Sequence, residues 1–397
     1  MSRDGVTTVT LVVLCQLVHG ISFSAMPLLL PLIREDLHIS FTQAGMLSAA
    51  ATLSYALGQI PAGFLSDRYG PRRLFFAGLI GWSAFSLAFG LIHAFWLAVI
   101  TQLLAGAFRA LLFAPGLALL ASWFPPERRA TAMSLYMVGG FAGTIVLSLA
   151  GPWLTALYGW RAAFMFFAAL GIAAALVYGR MARDKPRAQT PQPLVLNDIA
   201  QLFRQPVMWV CGGLQFVRFT VVTAYTVWLP SLLVVDRGFP IQTAGLIMAI
   251  SAAFTAPSNT LGGYVSDRLR NPPLVIGSAL AVLACTATLL VTVDSLPLLL
   301  IVIAVNSIFL QFYFGPLFLV PMEVLGPRTA GTAIGVSNLF ANTGGFLTAL
   351  ALGMVKDRSG SFTWGFIGIS AICLAGVALA VVLARMRRRA LAPRMTA

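Results

Sequence analysis

Residues 63–73 read Gly-Phe-Leu-Ser-Asp-Arg-Tyr-Gly-Pro-Arg-Arg. This is a short charged turn between two apolar runs. Gly70-Pro71 punctuates the chain, because glycine suits the end of a helix and proline its first turn. Working outward, Gly263-Tyr-Val-Ser-Asp-Arg-Leu-Arg270 repeats the pattern 200 residues later in a weaker form. Gln43-Ala-Gly45 and Thr243-Ala-Gly245 keep the same offset, and Arg128-Arg-Ala-Thr-Ala132 has a counterpart at Arg328-Thr-Ala-Gly-Thr-Ala333. The chain therefore reads as a duplication whose two copies share one architecture.

Composition says where that architecture sits. Of the 397 residues, 59% are hydrophobic and 10% charged, and the mean hydropathy is +0.88. A soluble domain carries about 25% charged residues, so this chain cannot cover a water-facing surface. Apolar runs of membrane-spanning length recur at roughly 7–33, 41–66, 73–93, 95–123, 130–155, 161–181, 207–235, 241–265, 273–293, 296–322, 329–355 and 362–385. The first run is too long for a cleaved signal peptide. The expected fold is an all-α membrane protein of twelve transmembrane helices in two pseudo-symmetric six-helix bundles. Residues 1–180 form one bundle and 207–397 the other. The Pro-, Gln- and charge-rich segment 181–206 is the linker.

Charge sets the topology. There are 26 Lys and Arg against 12 Asp and Glu, a formal net charge of +14. With both termini in the cytoplasm, Arg68, Arg72, Arg73, Arg128, Arg129 and the arginines of 385–389 fall inside. Only Arg34, Arg161, Arg237, Lys356 and Arg358 fall outside. That is the bias of a multi-pass protein of a bacterial-type inner membrane with cytoplasmic termini. The basic pI of about 10.6 is then a topology effect, and no nucleic-acid partner is implied. Cys15, Cys211, Cys285 and Cys373 lie unpaired inside apolar runs, and His19, His38 and His93 are scattered. No disulfide, metal site or cofactor is expected. No nucleophile–base pair or phosphate-cradling loop supports an enzyme.

The eleven residues quoted first resemble the signature loop of the major facilitator superfamily, Gly-x-x-x-Asp-Arg-x-Gly-x-Arg-Arg, with Gly63, Asp67, Arg68, Gly70, Arg72 and Arg73 at its positions. Asp267 and Arg268 belong to the degraded second copy, which lies between spans eight and nine as in that superfamily. Gly159-Trp-Arg-x-x-Phe164 resembles another of its recurrent features. The resemblance implies a transporter working by alternating access. It also implies that Asp67 latches the outward-facing state at a neighbouring helix N-terminus, with Arg68, Arg72 and Arg73 pairing nearby acids such as Glu127 or lipid phosphates.

Finer resemblances point in two directions. Trp228-Leu-Pro-Ser-Leu-Leu233 resembles a stretch of the anion:cation symporter group, and Gly331–Gly345 resembles span eleven of that group and of nitrate and oxalate carriers. Proton-driven drug antiporters have Gly-Pro-x-x-Gly-Gly near the end of span five. Here Gly151-Pro-Trp-Leu-Thr-Ala156 lacks the closing glycines.

The span charges favour the first direction. All twelve acids fall at or beyond span ends, whereas Arg109 lies mid-span four, Arg218 mid-span seven and His19 in span one. An arginine at bilayer depth costs roughly 2.5–3.5 kcal/mol on insertion scales and cannot deprotonate to escape. Without a buried acid, a bound anion is a natural partner, and the planar fork suits a carboxylate. In the superfamily, spans one, four, seven and ten line the central cavity, and basic residues near the middle of spans one and seven are similar to the layout of organophosphate exchangers. Helical spacing puts Gln102 with Arg109, Gln215 with Arg218 and Tyr225, and Asn306 with Tyr313. Trp228 and Gln311 complete the candidate substrate-binding set. In many superfamily members the span-four arginine is instead assigned to proton transfer.

The expected activity is secondary transport of a small carboxylate-type anion by proton symport or anion exchange. Protons are one candidate coupling ion, membrane lipids are the surrounding partners, and a monomer is expected. Two alternatives are proton-coupled efflux of drugs or amphipathic metabolites, and a transporter-like receptor without net transport.

Overall fold

The computed structural model describes residues 3–125, 129–184, 204–317 and 330–391; for residues 60, 67, 129–131, 330–334, 390 and 391 it describes the backbone alone. Regular structure among the described residues is helical throughout. Four helices come first: α1 (Arg3–Asp36), α2 (Phe41–Tyr69), α3 (Pro71–Gly90) and α4 (Phe95–Ser122). The run Arg129–Met181 bends at Gly159, whose φ of 79° and ψ of 164° are not helical. That bend separates α5 (129–158) from α6 (160–181). Next come α7 (Pro206–Asp236) and α8 (Ile241–Leu269), α9 (Pro272–Thr292), α10 (Leu296–Leu310), α11 (Ala330–Ser359) and α12 (Thr363–Leu391).

Ten segments are long and apolar enough to cross a bilayer, with 132–181 counted once. Separating α5 from α6 and adding the more polar α2 gives the expected twelve. Expected span three runs to 93, but α3 stops at Gly90. The expected tenth span runs to 322. Its helix ends at Leu310, and residues past 317 lie outside the described set, as do linker residues 185–203.

Local chemistry explains the boundaries. Ser40 and Gln43 cap α2 reciprocally: Ser40 Oγ accepts from the Gln43 amide at 3.1 Å, and Gln43 Oε1 from the Ser40 amide at 2.9 Å. Gly70, at φ 85°, lets the chain reverse before Pro71 opens α3. The repeat places Arg270 at the equivalent turn, also left-handed at φ 50°. The second copy keeps the turn without its glycine, a conformation that costs about 1–2 kcal/mol in an L-residue.

The chain divides into two compact units, Met1–Pro191 with Val227–Ala249 and Gln192–Thr226 with Ile250–Ala397. In the first, α1 packs on α5, α2 on α4, and α3 on α4 and α6. In the second, α7 packs on α11 and α12, and α9 on α10 and α12. Corresponding pairs close through glycine. A Cβ on Gly20 would overlap the Gly140 carbonyl, and one on Gly143 the Leu17 carbonyl. In the second unit a Cβ on Gly344 would overlap the Phe216 carbonyl. Small residues let helix backbones approach where lipid gives no hydrophobic push between them. Large apolar side chains such as Leu57, Phe64, Trp96, Trp153, Leu157 and Trp364 face outward, as a lipid-facing surface requires.

Gly143→Ala and Gly344→Ala should each destabilise the protein by about 1–3 kcal/mol through overpacking, read as a lowered melting temperature in detergent. Gly368→Ala, where no atom lies within 4 Å of the added carbon, should leave it unchanged. Equal behaviour of all three would remove the seam explanation.

Candidate functional site

In the first unit the site is organised around Arg109 on α4. Its guanidinium carbon lies 4.0 Å from the centre of the Phe23 ring of α1 and 4.2 Å from that of Tyr55 of α2. Tyr55 comes this close because Gly106, one turn before Arg109, lets α2 in: a Cβ there would overlap the Ala51 carbonyl and the Ser54 hydroxyl. On the next turns Gly116 leaves room for the Phe75 and Tyr136 rings, 2.6 and 2.9 Å from where its Cβ would sit. The Tyr136 hydroxyl donates to the Leu112 carbonyl at 3.0 Å. His19 joins the cluster from α1. It stacks on Phe23 at 6.2 Å between centroids and meets the edge of Trp82 of α3 at 5.0 Å. His19 Nδ1 and Trp82 Nε1 are buried without hydrogen-bond partners. Gln102 is buried two turns before Arg109.

In the second unit Arg218 of α7 is 4% exposed. Its Nε donates to Gln215 Oε1 at 2.8 Å. Because an arginine only donates, this bond fixes the amide, and the Gln215 Nε2 donor is left buried without a partner. The Phe314 and Phe219 rings lie 4.9 and 5.4 Å from the guanidinium carbon. The Tyr313 hydroxyl, also buried without a partner, lies within electrostatic reach of Arg218. Neither Arg109 nor Arg218 is ion-paired to a carboxylate among the described residues.

Tyr313 and Phe314 owe their placement to a break in α10. The helix stops at Leu310, turns over Gln311–Tyr313 and resumes at Phe314. Pro316 contributes to the break: it has no N–H for the Phe312 carbonyl. Side chains of α8 take over the freed backbone. Thr255 Oγ1 donates to the Ser307 carbonyl at 3.1 Å, Ser258 Oγ to the Ile308 carbonyl, and Ser251 and Ser307 hydroxyls pair at 2.6 Å. The Phe312 carbonyl occupies the space that a Cβ on Gly262 would fill.

The other sequence candidates are placed as follows. Asn306 donates to Thr286 of α9 at 2.9 Å. Tyr225 lies edge-on to Phe366 of α12 at 5.6 Å. Trp228 is fully buried at the end of a π-helical turn, Ala224–Trp228. Gln311 is half-buried in the α10 turn. The aromatic partners Phe23, Tyr55, Trp82, Phe219 and Phe314 were not legible as site residues, because aromatics are ordinary filling in apolar spans.

At the signature loop, Arg72 Nη2 donates to the Gly179 carbonyl near the end of α6 at 2.7 Å, and Tyr178 OH returns to the Arg72 carbonyl at 3.3 Å. Arg72 thus serves a helix C-terminus, where cations are favoured. Arg68 and Arg73 are exposed, with Arg68 beside the Tyr69 ring at 5.4 Å. Gly63 has open space on its Cβ side. Asp267 is exposed, and Arg268 Nη1 donates to Tyr264 OH at 3.4 Å. The Asp67 side chain and Glu127 lie outside the described residues.

Residues 12–349 match the family model described as Major Facilitator Superfamily. The chain belongs to the major facilitator superfamily. It is a multi-pass membrane transporter and not an enzyme. It is 22% identical over 385 residues to a hexuronate transporter of Bacillus subtilis, covering 92% of this chain and 91% of that one. It is 25% identical over 396 residues to a probable galactarate/D-glucarate transporter of Escherichia coli, covering 88% and 86%. With a probable sulfoacetate transporter of Cupriavidus necator it shares 26% over 363 residues, covering 85% and 84%. Among solved structures, a bacterial homolog of the human lysosomal transporter Spinster, inward-facing and unoccupied, shares the fold. The TM-score is 0.80 at 20% identity, with 98% and 97% of the two chains covered.

Gly262→Ala should abolish transport and lower the melting temperature, because a methyl there displaces the broken turn of α10 that carries Tyr313 and Phe314. A variant with wild-type transport and stability would show that this turn can move without consequence.

Proposed function

We propose that this superfamily member is a secondary transporter that moves a small organic anion of carboxylate type across the bacterial inner membrane by alternating access. Coupling is by proton symport or by exchange for a second anion. One observation carries the reading: Arg218 is buried, has no carboxylate partner among the described residues, and spends the only acceptor of Gln215 on its own Nε. What remains around it is a set of donors, namely the arginine Nη groups, the Gln215 amide and the Tyr313 hydroxyl. Buried donors cost free energy unless they are matched, and a ligand that only accepts is the match. Arg109 offers a second cation whose N–H groups are not taken by a described acceptor. Hexuronate, galactarate or D-glucarate, and sulfoacetate, in the printed names of the three relatives, all fit such a surface.

In this reading Arg218, Gln215, Tyr313 and Arg109 bind substrate. The halves 1–180 and 207–397 are joined by the linker 181–206, and the chain acts as a monomer with cytoplasmic termini. Asp67 latches one state through its loop. Arg72, tied to α6, supports the rigid frame of that loop.

Arg218→Gln should abolish binding of D-glucuronate, D-glucarate and sulfoacetate while leaving the protein folded, measured by thermal shift, since a ligand of the native state raises apparent stability. Normal binding of any of these acids by the variant would overturn the role of Arg218. Asp67→Asn should leave equilibrium binding within about twofold and slow counterflow by about tenfold or more, the pattern of a residue acting on state exchange rather than on affinity. Unaltered counterflow would remove Asp67 from the latch.

A further inference from the structure

We infer that His19 carries the coupling proton of this transporter, and that its protonation is linked to anion binding at Arg109 through their shared Phe23 ring. The inference rests on the anion-transport reading above and goes beyond it by choosing proton symport and naming the carrier.

The first observation is one of elimination along the chain. All twelve carboxylates lie at or beyond span ends, so the usual membrane proton carrier is missing. His38 and His93 lie in loops between helices. That leaves His19 as the one residue within a span whose ordinary pKa, about 6.5, lies near physiological pH.

The second observation is geometric. The His19 ring is 8% exposed, stacks on Phe23 and has an unpartnered, buried Nδ1. Phe23 also receives Arg109 at 4.0 Å. Imidazole and guanidinium therefore lie within about 10 Å of each other, where two like charges in a medium of effective dielectric about 20 repel by more than thermal energy.

The groups facing His19 from its neighbours leave Arg109 as the one charge in play. From α3 comes Trp82, which does not titrate. Gly140 of α5 packs against Gly20, and the Tyr136 hydroxyl is committed to the Leu112 carbonyl. On α1 itself Cys15 Sγ faces the Ala174 carbonyl of α6 at 3.8 Å. From α2, Tyr55 lies over Arg109.

Linkage follows from these placements. With Arg109 unoccupied, its charge disfavours a second positive charge on His19. An anion on Arg109 cancels that charge, and protonation becomes favourable. By reciprocity the protonated imidazole strengthens anion binding by the same factor. The proton is taken from the aqueous phase on the side to which the site is open, and is returned to the opposite aqueous phase when the anion leaves. For a monovalent acid the empty and the loaded cluster carry the same net charge, so the pair crosses as a neutral unit. Phe23 is a positioning residue here: it holds both cations at one separation without occupying the N–H groups of either.

The test uses purified full-length protein with D-glucuronate as probe, and D-glucarate and sulfoacetate in parallel. Calorimetry of wild-type protein in two buffers of different ionisation enthalpy should show uptake of about one proton per glucuronate bound near pH 7. In proteoliposomes an inward proton gradient should drive glucuronate accumulation. His19→Gln should lose both proton uptake and gradient-driven accumulation, while its residual counterflow no longer depends on pH between about 5.5 and 7.5, the window around the ordinary histidine pKa. Phe23→Leu should reduce the proton uptake per anion and weaken glucuronate binding in proportion. Wild-type protein that binds glucuronate without taking up a proton overturns the inference and leaves anion transport standing, and so does a His19→Gln variant that accumulates glucuronate as the wild type does. If wild-type protein binds and exchanges none of the three acids, the anion reading fails and this inference falls with it.

Discussion

A backbone carbonyl that loses its helical partner inside a bilayer must find another donor within the protein, because hydrocarbon supplies none. The break in α10 shows how far that requirement reaches. Pro316 removes one helical donor, the turn at 311–313 releases the carbonyls of Ser307 and Ile308, and Thr255 and Ser258 of α8 receive them. Gly262 leaves space for the Phe312 carbonyl in the same seam. Once the turn is held, Phe314 can face Arg218 and Tyr313 comes within electrostatic reach of it. The polar character of the second unit's site thus depends on satisfied backbone several residues away.

The same constraint governs the arginines. A guanidinium at membrane depth is compensated most simply by a carboxylate, yet a permanent ion pair would leave nothing for a ligand. Here aromatic faces take that place: Phe23 and Tyr55 on Arg109, Phe314 and Phe219 on Arg218. A ring attracts the cation through its quadrupole without accepting each N–H as an oxygen would. The charge is partly stabilised and its hydrogen-bonding capacity is kept. Gln215 follows the same logic: by accepting from Arg218 Nε it orients the fork and adds a donor of its own.

Much of the frame was legible in the residues. Hydropathy and turn chemistry marked the twelve spans. The spacing along α7 put Gln215 beside Arg218, where the hydrogen bond is found, because three residues on a helix are neighbours. The same kind of spacing did not separate Tyr313 from Asn306. Seven residues apart they share a stripe only if α10 is continuous, and the break leaves Asn306 bonded to Thr286 of α9 while Tyr313 comes near Arg218. Arg72 read as a partner for acids or lipid phosphates, and among the described residues it also serves the end of α6. That partner is a backbone carbonyl, which has no letter in a sequence.

By itself the sequence determined the membrane, the duplication and the presence of two cations inside apolar spans. These are sums over residue type and position, and hydrocarbon enforces them whatever the packing. Only the tertiary structure decided what surrounds those cations. Which aromatic covers an arginine, which hydroxyl catches a freed carbonyl and which glycine admits a neighbouring helix are contacts between residues far apart in the chain, and close packing of side chains selects them rather than any local pattern.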